Sequence, residues 1–181
     1  EGRFELETFD GIMDAMHAAG IRVILDIPGQ PAPTWLHHKY PGTDIVTQCD
    51  QMTGITVAAI AEINIDAAKK ALRISGRPPE SYVVADSRRA FDAALEGGMT
   101  AITTDAQAVC TNDQIDVIID ATGRPAVGAE IGLVAMEHGK HLVMMNVEAD
   151  VTIGAYLQHE AKRLGVVYTL GAGDEPSSCM E

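Results

Sequence analysis

The sequence predicts an α/β fold in which a doubly wound, mostly parallel sheet lies in three αβα layers. Three observations carry this. Short runs of β-branched and apolar residues, among them residues 21–27 (IRVILDI), 55–61 (ITVAAIA) and 115–119 (IDVII), recur along the chain. The runs are continuous rather than alternating, the pattern of strands buried on both faces. Most are followed by a stretch of helical spacing, and that alternation implies right-handed crossovers and parallel pairing.

The elements follow in order. Phe9, Ile12, Met13 and Met16 fall at helical spacing, and Gly20 is placed to close that helix. Residues 21–27 form a buried strand. Pro28, Pro31 and Pro33 break the next stretch, and a helix interrupted at Pro41-Gly42 fits residues 34–51. Residues 55–61 are the second strand, and Asn64 is placed to cap a helix reaching about Ser75. Residues 82–85 give a short strand, after which Asp86 is expected to cap the helix carrying Phe91, Ala94 and Leu95. Residues 101–103 form a weakly patterned strand and 115–119 a strong one. A helix over about 125–138 ends at Gly139. Strands at 141–145 and 166–170 are separated by a helix through Leu157, Ala161 and Leu164. The whole reads as one Rossmann-like domain over residues 1–181, since roughly 100–200 residues make one core.

Composition narrows the function classes. Hydrophobic residues at 46% and charged residues at 22% are globular values, which exclude a disordered chain. The formal charge of −13 repels both a nucleic-acid backbone and an anionic membrane, so neither is an expected partner. Cys49, Cys110 and Cys179 are odd in number and widely spaced, matching no disulfide framework, and a reducing, cytoplasmic setting is expected. No apolar run reaches the roughly 18 residues needed to cross a bilayer. Glu1-Gly2-Arg3-Phe4-Glu5 is neither a signal peptide nor an expected natural start.

Two stretches carry resemblances to different families. EGRFE, the HAAGIRVIL helix-to-strand step and the PAPTWLHHKYP run, all within residues 1–41, resemble the β-galactosidases of glycoside hydrolase family 42. From about residue 42 onward the chain resembles the homoserine-dehydrogenase-like NAD(P)-dependent oxidoreductases, a group that includes proteins similar to deoxyxylulose phosphate reductoisomerase. The pieces are GTDIVTQ, Ile60-Ala61-Glu62-Ile63-Asn64, IDVIIDATG at residues 115–123, NVEAD at 146–150 and YTLGAGDEP at 168–176. The chain is therefore expected to be a chimera joined near residues 41–50, with a β-galactosidase-like helix-strand segment at 1–41 and an incomplete dinucleotide-binding domain at 42–181.

Glycoside hydrolysis with retention needs two carboxylates about 5 Å apart. In the β-galactosidases these stand on barrel strands absent from this chain, so Asp26 has no partner, and Trp35 is expected in the core rather than against a sugar. Dinucleotide binding is the better case. It needs a helix N-terminus facing the pyrophosphate and a carboxylate at the end of the second strand for the ribose hydroxyls. Glu62 stands there, next to Asn64, and its charge favours NAD over NADP; the alternative is an exposed strand-end glutamate. Ala121, Thr122 and Gly123 follow a strand where the resemblance implies the nicotinamide side of the cofactor, although Thr122 could instead cap the next helix. Asn146, Glu148 and Asp150 follow the next strand, so Asn146 is a further cofactor candidate and Glu148 and Asp150 substrate-side ones; a plain polar loop is the alternative.

Two features limit the reading. A G-x-G-x-x-G turn ending at Gly42 would put His37 and Lys39 where its other glycines belong, obstructing close approach of backbone to pyrophosphate. Asp174 and Glu175 lie in a substrate-side motif that also reads as a simple turn, with no catalytic domain after it. His37-His38 and His138/His141 have no third ligand spaced to join them, so no metal is expected. The catalytic residues stay unassigned. Weak binding of NAD or NADP with little or no turnover is the first expectation, hydride transfer being the reaction class implied. A β-galactosidase fragment and a non-catalytic structural or interaction module are the alternatives, and self-association stays open.

Overall fold

The computed structural model describes residues 23–26 and 45–171. Seven strands form one sheet: β1 (Val23–Asp26), β2 (Val57–Ala61), β3 (Tyr82–Val84), β4 (Thr100–Thr103), β5 (Val117–Asp120), β6 (His141–Met144) and β7 (Tyr168–Leu170). Between them run α1 (Ile45–Gln51), α2 (Ile65–Ile74), a 3-10 turn (Pro79–Ser81), α3 (Arg88–Glu96), α4 (Ala106–Cys110), α5 (Pro125–Glu137) and α6 (Val147–Leu164). The strand order is β3-β4-β2-β1-β5-β6-β7, and every pairing is parallel. From β1 the chain runs to β2, out to the edge strand β3 and back in to β4, then crosses through α4 to β5 on the other side of β1. The order reverses between β1 and β5, which makes that gap the switch point of a doubly wound sheet.

Alternation along the inner strands divides the core in two. Val57, Ile60, Ile102, Val117 and Ile119 pack with Val46 and Cys49 of α1 and Ala68 and Leu72 of α2. Ala59, Ala101, Ile118, Leu142 and Met144 face the other way. They meet Phe91 and Leu95 of α3, Val109 of α4, Ile131 and Met136 of α5 and Leu157 of α6. Each face of the sheet thus carries its own helical layer, as continuous apolar strands require. Residues 101–103, the weakest strand in the sequence, lie at the interior: all four residues of β4 are buried between β3 and β2. Small Ala101 and the threonines weaken the pattern without weakening the ladder.

The Asn64 cap is observed, its side chain accepting the Ala67 N–H at 3.2 Å. Asp86 is not the cap of α3. Ser87 holds that position, its hydroxyl accepting the Ala90 N–H at 3.3 Å, because the helix begins one residue later. Helix α4 is not expected from the sequence, since five residues are too few to show a period. Asp105 caps it by accepting the Ala108 N–H. Among the described residues, no helix is long and apolar enough to cross a membrane.

Candidate functional site

The site is assembled at the carboxyl edge of the sheet, where open parallel sheets take ligands. Glu62 follows the last residue of β2 and is 8% exposed, so it is not the exposed strand-end glutamate the sequence allowed. Its backbone N–H donates to the Thr103 carbonyl at 2.9 Å, tying it to the end of β4. Its Oε1 accepts the Asn64 N–H at 2.8 Å. The carboxylate is thereby oriented by its own helix N-terminus, with Oε2 left for another donor. Asn64 itself is exposed and already uses its carbonyl oxygen on α2.

Two strands away, the turn after β5 holds Ala121, Thr122 and Gly123. Ala121 is buried, and Gly123 takes φ +63°, a conformation that costs a side-chain-bearing residue about 1 kcal/mol or more. Thr122 does not cap α5. Arg124 occupies that position and supplies no side-chain bond, while Pro125 opens the helix. The Thr122 hydroxyl instead accepts from the Asn146 amide at 3.0 Å.

Asn146 is the best-connected side chain here. It is fully buried, and its Nδ2 group lies 3.2 Å from Asp120 Oδ2, 3.0 Å from Thr122 Oγ1 and 3.1 Å from the Arg124 carbonyl. Its Oδ1 accepts the Ala149 N–H at 3.2 Å, so the same residue caps α6. The NVEAD segment is therefore the start of a helix rather than a polar loop. A Ser/Thr/Asp/Asn cap followed by an acidic first turn was the available signal, with Glu148 and Asp150 supplying the acid.

The two substrate-side candidates on this helix differ. Glu148 is exposed. Asp150 is half-buried and accepts a hydrogen bond from the Tyr168 hydroxyl on β7. Burial, then that bond and the nearby charges of Asp150 and Asp120, pushes the Tyr168 phenol well above its usual range. Gly42, Asp174 and Glu175 lie outside the described residues, as do His37, Lys39 and the stretch that would hold the pyrophosphate.

Sequence reasoning missed Asp120, the fully buried last residue of β5. Its Oδ1 accepts the Thr122 N–H at 2.9 Å, and its Oδ2 faces Asn146. A carboxylate closing the apolar run IDVII was the signal for it. The close packing around it depends on α5, because a Cβ on Gly128 would stand 2.3 Å from Asp120 Oδ2 and 2.5 Å from Asn146 Nδ2.

His138 and His141 serve the backbone: His138 Nδ1 sits 2.8 Å from the Val134 carbonyl, and His141 Nδ1 accepts the Val167 N–H at 3.0 Å. No three His, Cys, Asp or Glu side chains converge among the described residues. A cavity of about 440 Å³ opens at the opposite, amino edge, between Thr56, Arg77, Ser81, Glu96 and Gln114. Among the described residues the one cation lining it, Arg77, is committed to Asp50, Thr100 and the Val57 carbonyl.

Comparison with known proteins agrees with this geometry. The family model described as homoserine dehydrogenase, NAD binding domain, matches residues 42–170. A second model, described as beta-galactosidase, matches residues 1–70. Beta-galactosidase Pbg of Clostridium perfringens is 50% identical over 48 residues, 26% of this chain and 7% of that protein. Homoserine dehydrogenase of Methylobacillus glycogenes is 35% identical over 74 residues, 41% of this chain and 18% of that protein. The chain thus spans under a fifth of either relative. Among solved structures, biliverdin reductase from Synechocystis, in complex with biliverdin and NADP+, matches with a TM-score of 0.53 at 17% identity, over 83% of this chain and 37% of its own. Homoserine dehydrogenase from Thiobacillus denitrificans matches with a TM-score of 0.51 at 21% identity, over 83% of this chain and 29% of its own. Those two likenesses are of fold. The family follows from the model that covers residues 42–170, and the chain belongs to the homoserine dehydrogenase NAD-binding domain family.

Proposed function

We propose that the chain is a chimeric dinucleotide-binding domain that takes NAD(H) weakly along the carboxyl edge, with weak or no catalysis. One observation supports this most. Glu62 at the end of β2 and the Ala121–Gly123 turn at the end of β5 flank β1 at the switch point, separated by two strand spacings of about 4.8 Å each. That separation suits the adenosine ribose at Glu62 and the nicotinamide half over the Ala121–Gly123 turn, with Asn146 buried against Thr122. The free Oε2 of Glu62 would accept from a ribose hydroxyl, and its charge would repel a 2′-phosphate, favouring NAD over NADP. The bound cofactor would supply hydride transfer; Glu148 and Asp150, at the start of α6, would stand on the side a substrate approaches, and the sequence motif with Asp174 and Glu175 is read as substrate-side too.

Weakness is expected from the sequence before α1. His37 and Lys39 replace turn glycines, and three prolines remove N–H donors from the region that would face the pyrophosphate. The net charge of −13 adds repulsion against an anionic cofactor. Titration of NADH, followed by nicotinamide fluorescence, should give saturable binding that Glu62→Ala abolishes. No saturation up to about 5 mM cofactor would overturn the reading. A carbohydrate-active fragment remains the second reading on the strength of the match over residues 1–70. Release of chromophore from a chromogenic galactoside would favour it. A folded chain with neither activity would favour a structural module.

A further inference from the structure

Asp120 is an acidic side chain with no access to solvent, and among the described residues no cation is one of its hydrogen-bond partners. A buried carboxylate held only by neutral donors is an expensive way to fill space, since an apolar residue of similar size would avoid the desolvation cost. Its contacts explain what it does there. Oδ1 takes the Thr122 N–H at 2.9 Å, which pins the Ala121–Gly123 turn. Oδ2 takes the Asn146 amide at 3.2 Å, and Asn146 in turn reaches Thr122 Oγ1 and the Arg124 carbonyl. Its own carbonyl accepts the Met145 N–H at 2.8 Å, tying the end of β5 to the end of β6. Gly128 leaves room for this arrangement where any Cβ would fill it.

We propose that Asp120 is a positioning residue, which sets the Ala121–Gly123 turn in fixed relation to the buried Asn146 amide and through that turn shapes the surface for the nicotinamide half of the cofactor. The cofactor part rests on the dinucleotide reading above. Asp120 itself touches no ligand; it acts through Thr122 and Asn146.

The test uses the full chain with Asp120→Asn and the reversed pair Asp120→Asn/Asn146→Asp. In the single variant two amide groups face each other. In the reversed pair an aspartate still caps α6 and accepts from residue 120, and the residue-120 oxygen still takes the Thr122 N–H, but the Arg124 carbonyl loses its donor. Amide hydrogen exchange at Thr122 and NADH affinity are read together. In the single variant, exchange at Thr122 should speed up about tenfold and NADH binding weaken by a similar factor, with both recovering in part in the reversed pair. Unchanged Thr122 protection in a folded single variant overturns the proposal, as does a folded reversed pair that restores neither. Changed exchange at Thr122 with unchanged NADH affinity overturns it too. If the unaltered chain binds no NADH, the dinucleotide reading fails, and the exchange data alone decide whether Asp120 holds the turn. If neither variant folds, Asp120 is a requirement of the fold, and the positioning role is overturned.

Discussion

The Asn146 amide nitrogen lies 3.2 Å from Asp120 Oδ2, so the residue that caps α6 is tied to the last residue of β5. Neither side chain reaches solvent. One hydrogen bond therefore couples a strand end, the turn after it and the start of the next helix but one.

Gly128 should be intolerant of even a methyl group. Gly→Ala within an exposed helix normally stabilises by up to about 1 kcal/mol. Here the new Cβ would stand 2.3 Å from Asp120 Oδ2, and the buried carboxylate has nowhere to swing. Gly128→Ala is expected to cost about 2 kcal/mol or more in urea denaturation. A neutral or stabilising result would show that the α5 contact is looser than these distances imply.

Cofactor preference should turn on Glu62. Glu62→Gln keeps an oxygen for the Asn64 N–H, places an amide NH2 donor where the ribose hydroxyl would sit, and removes the negative charge. The ratio of NADPH to NADH affinity is expected to rise about tenfold. An unchanged ratio, measured by fluorescence titration of both cofactors, would remove Glu62 from the ribose site.

Arg77 should matter to stability far from the site. Its Nε donates to Asp50 Oδ2 at 2.8 Å, and its Nη1 reaches the Val57 carbonyl at 3.3 Å and the Thr100 hydroxyl, so it clasps α1 to β2 and β4. Arg77→Ala is expected to cost about 1.5–3 kcal/mol by chemical denaturation. Lysine should recover little of this, since it lacks the planar fork that meets Asp50 with two nitrogens. Full recovery by lysine would mean that charge alone matters.

Alkaline stability should report on Tyr168. Its phenol is raised above the ordinary 10.0, by burial first and then by the hydrogen bond to Asp150. A group whose pKa is higher in the folded state contributes fully below its unfolded value, and that contribution is lost as pH rises above it. The thermal midpoint should therefore be insensitive to this group up to about pH 10 and fall above it. Tyr168→Phe should flatten that fall; an identical alkaline profile in the variant would exclude Tyr168 as its source.

The strands were legible because they are buried on both faces. ITVAAIA and IDVII show no polar alternation, and β2 and β5 form within two residues of those runs. The Asn64 cap was legible for a local reason, as its bond spans three residues. Helix α4 was not, being shorter than two turns, and Asp86 was displaced by Ser87 because either residue can cap. At the site, Glu62 was found by its position after a strand. Asp120 was passed over because a single acid after an apolar run is as often an exposed turn residue.

By itself the sequence determined the fold class, the order of the strands and longer helices, and the candidate carboxylate of the ribose site. All of these rest on local periodicity and on residues placed beside strand ends. Only the tertiary structure decided that Thr122 accepts from Asn146 instead of capping α5, and that Asp150 is held by Tyr168. It also decided that Asp120 joins the turn to α6. These contacts link residues 18 to 26 positions apart on adjoining elements, and apart from the Asp120–Thr122 bond none is encoded by a spacing within one element. Parallel crossovers bring them together, because every carboxyl end of such a sheet lies on the same edge.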